Sequence, residues 1–588
     1  MPARGNWTNR TDRVSGSLTV LARLRNGVSA AQARAAMTTL VAALAREYPK
    51  TPASKGADVR HYQEAVTASV KPALVFLMYA AAVVMAVACA NIASLLLARG
   101  VTRSGEMAIR LALGARRHQL VVQLLMEQVV VAALAGIVSV AFVALTHDGA
   151  MSVIPATLAR RQEVRVSGAV VAFTVAACVA VSLAASLLPA WFFTRRHGAT
   201  TGQLRSRMVH NGLVVAQIAV ALALLASGAL VITGFQRLAR LDLGFSPSGT
   251  LVADVALPRR VWSDRATYTG FRHRLIAHVR SSPFVADASI TSDLPGVLHF
   301  KGLIIGVRAA SGSFEDCVWR VVGANYLRVL GASIVSGRDL DVRDETGPPV
   351  VVINETLRQR LGLSANPVGQ GLWISEWYTI VGVVRDVHEL GPRERVPPVV
   401  YMPLSDRSWT PTHLWLLVRP TRWGSLAGLR EQLARLDPGL PVCRLATLQD
   451  VVASTMAETK FYAVTFAAFS AVALLLATAG LFALVSSGVE TRIREIGVRM
   501  ALGATPGRIA GAILRHAALL TCFGTFSGLG VFWAIARLLR AAIPDVAPAD
   551  VPTVTAAMLL IAVTACAAVL PTLRRASSLQ PIEVLRHE

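Results

Sequence analysis

The sequence has few lysines and few charged residues of any kind. Only five of its 588 residues are lysine, 16% are charged and 6% are aromatic, whereas 54% are hydrophobic. None of the lysines directly follows a glycine, so the phosphate-binding motif G-x-x-x-x-G-K-[ST] is absent from this chain. H-E-x-x-H and G-x-S-x-G are also missing, which removes the simplest protease and hydrolase interpretations. We therefore expect no catalytic centre and no cofactor in this chain, and ATP to be handled by another protein.

Residues that ligate metals or form disulfides are also sparse. His61, His388 and His413 are isolated in the sequence, which gives metal binding little support. Four of the six cysteines lie in apolar runs, where cysteine usually acts as a small apolar residue. Cys317 and Cys443 share a polar stretch and could pair in an oxidising compartment, but the sequence does not give their separation. No metal site is predicted.

Acidic and basic residues are missing altogether from five long runs. A membrane-spanning helix needs about 20 apolar residues. The five runs are residues 72–98, 166–194, 211–236, 461–489 and 551–573, and two shorter, more polar runs are residues 128–146 and 517–536. Buried helices of a soluble protein are the alternative for any single run, but a soluble fold of this length would not hold seven helices that are apolar all round. The sequence predicts a multi-pass membrane protein.

The absence of charge inside the runs also bears on function. Membrane-embedded charges mark the ion pathways of pumps and secondary carriers, so their absence argues against a proton- or sodium-coupled transporter. The formal net charge is +24. Nucleic-acid binding would need these cations on one solvated face, whereas many arginines here stand in short blocks beside apolar runs. We expect no nucleic-acid partner.

One polar segment occurs twice. Residues 103–115 read RSGEMAIRLALGA and residues 492–504 read RIREIGVRMALGA. The shared positions are Arg103, Glu106, Arg110 and Gly114 in the first copy and Arg492, Glu495, Arg499 and Gly503 in the second. In each copy these residues are spaced three, four and four apart, so they lie along one stripe of a short amphipathic helix. Each glycine is a suitable residue to end its helix. Solvated helix ends explain one copy, whereas two copies in register indicate an internal duplication and a docking surface.

The arginine blocks predict the orientation. If each run crosses the membrane once, the blocks near residues 103, 195, 492 and 574 fall on one side, which should be cytoplasmic. Arg160, Arg161 and Arg165 lie on the opposite side and weaken this assignment. The N-terminus would then lie outside, although residues 1–70 show no signal-peptide pattern. The simplest expectation is that the chain lacks its true beginning.

A long polar stretch, residues 237–460, is large enough for a domain. Its patterns predict strands at residues 251–257, 285–291, 350–353, 379–384, 399–403 and 414–418, and helices at 263–281 (with Ser263 as the N-cap), 355–361 and 425–436. Residues 17–24 and 29–48 read as a strand and a helix like those at residues 414–436. An α+β domain outside the membrane is predicted, and residues 1–70 read as the remnant of a first copy.

The repeated segments and their surroundings resemble the permeases of the MacB/FtsX type of ABC transporter. The likeness rests on residues 90–99 (ANIASLLLAR) leading into 106–115, on 494–504, and on the order of VGANY (322–326), VGVVRD (381–386) and QPIEVLR (580–586). The layout is similar to that of the duplicated, acidobacterial-type members. The chain departs from the family pattern at Ser104 and Gly105, and in lacking a first membrane helix and most of a first outer domain.

The resemblance implies an α-helical integral membrane protein with an inserted α+β periplasmic domain. The implied layout is a domain remnant at 1–70, a first FtsX-like permease unit at 71–210, a membrane helix at 211–236, a periplasmic domain at 237–460, a second permease unit at 461–573 and a cytoplasmic tail at 574–588. It further implies location in the cell inner membrane and a separate ABC ATPase that docks on residues 103–115 and 492–504.

Two classes of function share this mechanical design. In the first, motion driven by the ATPase exports a substrate, and a periplasmic adaptor is the further partner. In the second, an FtsX-like signalling scaffold activates an envelope enzyme and carries no substrate. The sequence does not separate them, and an intramembrane enzyme is a distant third.

Overall fold

The computed structural model describes residues 21–47, 59–67, 71–102, 109–110, 113–114, 117–155, 165–194, 199–297, 304–404, 411–421, 425–490, 506–542 and 551–577. The chain divides into two compact units. Residues Thr67–Arg237 and Ala457–Glu588 form one, here called the membrane unit. The other contains Leu238–Met456, here called the inserted domain, together with Met1–Val66.

The helices are numbered in chain order. They are α1 (Ala30–Glu47), α2 (Tyr62–Thr67), α3 (Lys71–Thr102), α4 (Arg117–Val153), α5 (Gly168–Thr194), α6 (Ala199–Ala239), α7 (Arg259–Trp262), α8 (Arg265–Arg280), α9 (Tyr326–Leu330), α10 (Glu355–Arg360), α11 (Leu426–Leu436), α12 (Leu448–Thr455), α13 (Ala457–Glu490), α14 (Pro506–Ala542) and α15 (Val551–Ser577).

The described part of the chain contains seven helices that are long and apolar enough to cross a membrane, which confirms the predicted number. They are α3, α4, α5, α6, α13, α14 and α15. Several are longer than the uncharged runs that predicted them: α4 extends over Arg117–Val153, and α14 over Pro506–Ala542. Polar residues at the ends of these helices interrupt the apolar run but do not stop the backbone hydrogen bonding.

Helices α3 and α13 are equivalent in the two repeats and pack against each other. Asn91 and Gly480 are separated by the same number of positions as Arg103 and Arg492, so they correspond in the duplication. Two further corresponding pairs, Ala80 with Phe469 and Val84 with Ala473, lie in one apolar cluster. The two copies therefore meet along corresponding stripes, as subunits related by an approximate twofold axis do.

Helix α6 packs closely on the second repeat. A Cβ atom on Gly524 would lie 2.7 Å from Ile218 Cβ, and one on Gly528 would lie 2.8 Å from the backbone oxygen of Ala219. These glycines form a G-x-x-x-G motif on α14, the small-residue spacing that lets membrane helices approach closely. Packing against α3, α13, α14 and α15 buries 67% of the most apolar part of α6.

The inserted domain contains an eleven-stranded sheet. Its strands are β1 (Leu251–Ala256), β2 (Val285–Thr291), β3 (Ile304–Ala309), β4 (Phe314–Val322), β5 (Ile334–Gly337), β6 (Val350–Asn354), β7 (Gly371–Trp373), β8 (Trp377–Val384), β9 (Val399–Pro403), β10 (His413–Pro420) and β11 (Val442–Thr447). The strand order is β11-β1-β10-β2-β4-β3-β7-β8-β6-β9, and β5 pairs with β8. Because β9 also pairs with β4, the strands from β4 to β9 in this order close into a ring.

Alternate residues of the strands supply different cores. On β1, Leu251, Ala253 and Val255 pack with α8 and α11, whereas Val252 faces a second core that includes Tyr326, Tyr401 and Trp415. A third core fills the ring around Ile353 and Ile380. Strands buried on both faces read as continuous apolar runs, which explains why the sequence predicted them. The predicted α+β class of the domain is confirmed.

Two local predictions are wrong. The N-cap of α8 is Asp264, whose carboxylate accepts a hydrogen bond from Thr267 N at 2.8 Å. Ser263 instead ends the short helix α7, which the sequence analysis did not predict, and this shifts the start of α8. Near the N-terminus, the described residues 21–24 of the predicted strand at 17–24 form no strand, although α1 follows at Ala30–Glu47.

The cysteines of the inserted domain lie far apart. Cys317 lies on β4 and Cys443 on β11, with β1, β10 and β2 between those two strands. Strands are spaced about 4.8 Å apart, so the two thiols cannot form a disulfide. Both are free. Burial beside Asp316 and Glu315 raises the pKa of the Cys317 thiol to about 12, which makes it unreactive.

Candidate functional site

The two repeated segments occupy the same position in each repeat. The first lies between the end of α3 at Thr102 and the start of α4 at Arg117, and the second lies between the end of α13 at Glu490 and the start of α14 at Pro506. Each segment therefore connects consecutive membrane helices. A force applied to either would act directly on the two helices that it joins.

Part of the first segment lies within the described residues. Leu113 N donates to the oxygen of Ile109 at 2.9 Å, a helical hydrogen bond, and Gly114 has a φ angle of 96°. This left-handed conformation is the one with which glycine commonly ends a helix. The Nη1 atom of Arg110 donates to Gln123 Oε1 of α4 at 3.1 Å. The end of this segment is thus tied to the next helix.

The other candidate coupling residues lie outside the described residues. They are Arg103, Glu106, Arg492, Glu495, Arg499 and Gly503. Their proposed role in ATPase docking stays a prediction.

Polar side chains gather where α3, α6 and α13 meet, and we call Asn91, Gln217 and Gly480 the polar seam. The Nδ2 atom of Asn91 donates to the oxygen of Leu476 at 2.7 Å, so it bonds the partner repeat directly. Gln217 is 2% exposed. A Cβ atom on Gly480 would lie 2.1 Å from Gln217 Oε1 and 2.5 Å from Asn91 Oδ1, so glycine is required for this approach.

The seam leaves polar atoms without partners. Asn91 Oδ1 and both amide atoms of Gln217 accept or donate no hydrogen bond to any described residue. Farther along the same helices, Ser470 Oγ donates to the oxygen of Leu224 at 2.9 Å and so joins α13 to α6. Polar groups are costly in a membrane interior, and they recur there mainly where they specify helix packing or serve function.

The seam was not predicted from the sequence, because charge was the only functional signal considered within the membrane runs. Asn91 and Gln217 are neutral, so the runs that contain them passed as uncharged. An amide side chain within such a run is the signal that would have found them. Their meeting across the two repeats was not readable from spacing, since Gln217 belongs to a helix outside the repeated pair.

Buried charges occur in the inserted domain and are paired. Arg320 Nε donates to Glu389 Oε2 at 2.8 Å, and Tyr401 OH donates to Glu389 Oε1 at 2.8 Å. Asp293 lies 3.9 Å from Arg320 Nη1. Burial, with the negative charge of Glu389 beside it, raises the pKa of Tyr401 well above its usual value, so this hydroxyl stays a donor. The network joins β4 to β9 and stabilises the ring of strands.

Two family models match the chain. The "FtsX-like permease C-terminal" model matches residues 78–197 and again residues 467–579, so both copies of the repeated segment fall within a match. The "MacB-like periplasmic core domain" model matches residues 212–436, which includes most of the inserted domain. The duplication predicted from the sequence is confirmed by the two separate FtsX-like matches.

Curated relatives share about a quarter of their aligned residues with the chain. A macrolide export ATP-binding/permease protein, MacB 2 of Aeromonas hydrophila, is 26% identical over 48% of this chain and 44% of its own length. The uncharacterized ABC transporter permease YknZ of Bacillus subtilis is 25% identical over 52% of this chain and 80% of its own length. The chain spans less than half the length of the Aeromonas protein.

Solved structures with a similar region include the periplasmic region of MacB from Actinobacillus actinomycetemcomitans. It is 15% identical, covers 37% of this chain and 96% of that structure, and has a TM-score of 0.27. The extracellular domain of the transporter YknZ from Gram-positive bacteria is 14% identical over 33% of this chain and 96% of that structure, with a TM-score of 0.23.

Proposed function

The chain belongs to the MacB/FtsX type of ABC transporter permeases, and on that premise we propose that it transmits motion from a separate ATPase to its inserted domain for export. The observation that carries this proposal is the duplicated segment, found once between α3 and α4 and once between α13 and α14. An ATPase with two nucleotide-binding subunits needs two docking surfaces, and a duplicated permease provides both in one polypeptide.

The connection between the membrane helices and the inserted domain supports transmission. Strand β11 is followed immediately by α12, and only Met456 separates α12 from membrane helix α13. Such a short connection leaves little slack in the chain. In this proposal, movement of α13 is passed to β11 and the sheet that contains it.

Of the two classes of function, export is the one that the names of the relatives support. MacB 2 of Aeromonas hydrophila is named for macrolide export, and PvdT of Pseudomonas entomophila, which is 24% identical, is named for pyoverdine export. The arginine blocks beside the apolar runs favour a cytoplasmic side that carries residues 103–115 and 492–504, and hence location in the inner membrane. The inserted domain would then face the periplasm.

Charge reversal in both repeated segments tests the proposal. We expect Glu106→Lys combined with Glu495→Lys to abolish co-purification of an ABC ATPase with the tagged chain expressed in its own host, because both docking surfaces would repel their former partner. Mass spectrometry of the purified complex measures the loss. The matched control is Glu431→Lys on α11, an exposed position far along the chain in the inserted domain.

The variant must still reach the membrane for the result to count, which membrane fractionation checks. If the double variant reaches the membrane and still retains the ATPase, the proposed docking surfaces are contradicted. If the ATPase is lost but an envelope hydrolase co-purifies with the wild-type chain, the signalling scaffold replaces export as the function.

A further inference from the structure

Three metal-ligating side chains of different types meet on the inserted domain. They are Asp254 on β1, His413 on β10 and Cys443 on β11. One ligand atom from each lies within 4.8 Å of the ligand atoms of the other two. In the sequence, His413 is isolated and Cys443 is a disulfide candidate, and the distance between the three residues along the chain hides their proximity.

Strand register explains how two of them meet. Strands β1 and β10 are antiparallel, with Asp254 opposite Trp415 and Ala256 opposite His413. Residues two apart on a strand face the same side, so Asp254 and His413 are diagonal neighbours on one face of the sheet.

A β-bulge brings in the third side chain. Asp254 pairs with Arg444 and Val255 pairs with Val442, so the register shifts and Cys443 is the extra residue on β11. In a regular ladder, Cys443 would oppose Val255 and face the other side of the sheet. Bulges re-aim side chains in this way, and this one places the thiol beside the carboxylate and the imidazole.

The distance between two of the three ligand atoms fits a tetrahedral metal ion. The Nδ1 atom of His413 lies 3.2 Å from Asp254 Oδ1. Two ligands bound to zinc at about 2.0 Å in tetrahedral geometry are separated by about 3.3 Å, so this edge of the site already has the required length. Asp254 is buried, His413 is half-buried and Cys443 is exposed, which leaves the thiol side open for a metal ion to enter.

We propose that Asp254, His413 and Cys443 bind one Zn²⁺ ion. The thiolate and the imidazole select zinc over magnesium or calcium, which prefer sets of oxygen ligands. Three protein ligands leave the fourth tetrahedral position to water. The bound ion joins β11 to β1 and β10, and so fixes the edge strand that leads through α12 to membrane helix α13.

Metal content of the full chain tests the site. The protein is purified in detergent, stripped with a chelator, dialysed against a small excess of ZnCl₂ and freed of unbound metal before elemental analysis. We expect one equivalent of zinc in the wild type and none in Cys443→Ser, whose exposed position keeps the fold intact. The matched control is Cys566→Ser, another exposed thiol, which should keep the full equivalent.

Cobalt substitution identifies the ligands. Co²⁺ bound to a thiolate gives a charge-transfer absorption, which we expect in the wild type and in His273→Ala but not in Cys443→Ser. His413→Ala should weaken binding while leaving the circular dichroism spectrum unchanged. Since metal binding displaces protons from the ligands, affinity should fall as the pH is lowered.

Two results would overturn the assignment. One is wild-type protein that holds no stoichiometric zinc after dialysis. The other is zinc that persists at one equivalent in both Cys443→Ser and His413→Ala, since the metal would then lie elsewhere. In either case the three residues form an ordinary hydrogen-bonded cluster. ATPase co-purification is a separate measurement, so failure of the metal site would not bear on the proposed transport function.

Discussion

The inserted domain and the membrane unit bury different kinds of polar side chain at their most polar contacts. In the inserted domain, the buried charges Arg320 and Glu389 contact each other, and Tyr401 donates to the same carboxylate. In the membrane unit, the polar seam contains only neutral amides, and Gln217 has no hydrogen-bond partner among the described residues. The two charges are paired, whereas the amide of Gln217 is not.

The difference shows what each region can tolerate. A buried charge without a partner is so costly that a folded domain must pair it. An unpaired neutral amide costs less than an unpaired charge. Helices that separate stay in the membrane, so water does not solvate the amide in the unpacked state either. The membrane unit can therefore keep an unpaired amide between its helices, whereas the inserted domain pairs its buried charges Arg320 and Glu389.

Removal of one charge of the inserted pair should have the largest effect. We expect Glu389→Ala to lower the free energy of unfolding of the inserted domain by about 3–5 kcal/mol, because Arg320 would remain buried without its partner. Resistance to limited proteolysis over a temperature series measures this. The control Glu431→Ala breaks an exposed ion pair with Arg435 and should cost only about 0.3–0.5 kcal/mol. Equal losses in the two variants would contradict the rigid, paired network.

A larger residue at the helix crossing should have the next effect. We expect Gly528→Leu to destabilise the membrane unit by about 1–3 kcal/mol, because the new side chain would meet the backbone of Ala219 on α6. Gly511→Leu on the same helix is the control, since nothing lies within 4 Å of a Cβ atom there. Thermal unfolding in detergent compares them. Similar stability of the two variants would show that α6 does not pack on Gly528.

An apolar residue in the polar seam should have the smallest effect on stability and a clear effect on function. We expect Gln217→Leu to change the stability by less than about 1 kcal/mol, because the amide has no hydrogen bond to lose. If the seam serves movement, the ATP hydrolysis rate of the co-purified complex should nevertheless fall. Thr555→Val on α15, whose hydroxyl bonds its own helix, is the control. An unchanged hydrolysis rate in Gln217→Leu would show that the seam serves helix packing alone.

Much of the fold was readable from local patterns. Uncharged runs predicted the seven membrane helices, and apolar strands such as Val399–Pro403 matched the observed bounds. The duplication was visible because the polar residues of both copies keep their spacing. The start of α8 was misplaced by one residue because Ser263 and Asp264 are both good N-caps, and only the preceding helix α7 decides between them.

Long-range pairing limited the prediction of sites. Asp254 and His413 meet only because β1 and β10 pair in one antiparallel register, and Cys443 joins them only through a bulge. No local pattern encodes either feature. The coupling residues differ from the metal-ligating residues, because their repetition made them recognisable in the sequence. Most of them lie outside the described residues.

Asn91 contacts Gly480, the residue that corresponds to it in the second repeat. This contact has a consequence for evolution. In an assembly of two identical chains, an asparagine at this crossing would meet a second asparagine, and a glycine would leave a gap opposite another glycine. Once both copies were encoded in one gene, mutation could change either side alone. The crossing now holds one large and one absent side chain, an asymmetry that two identical chains could not acquire.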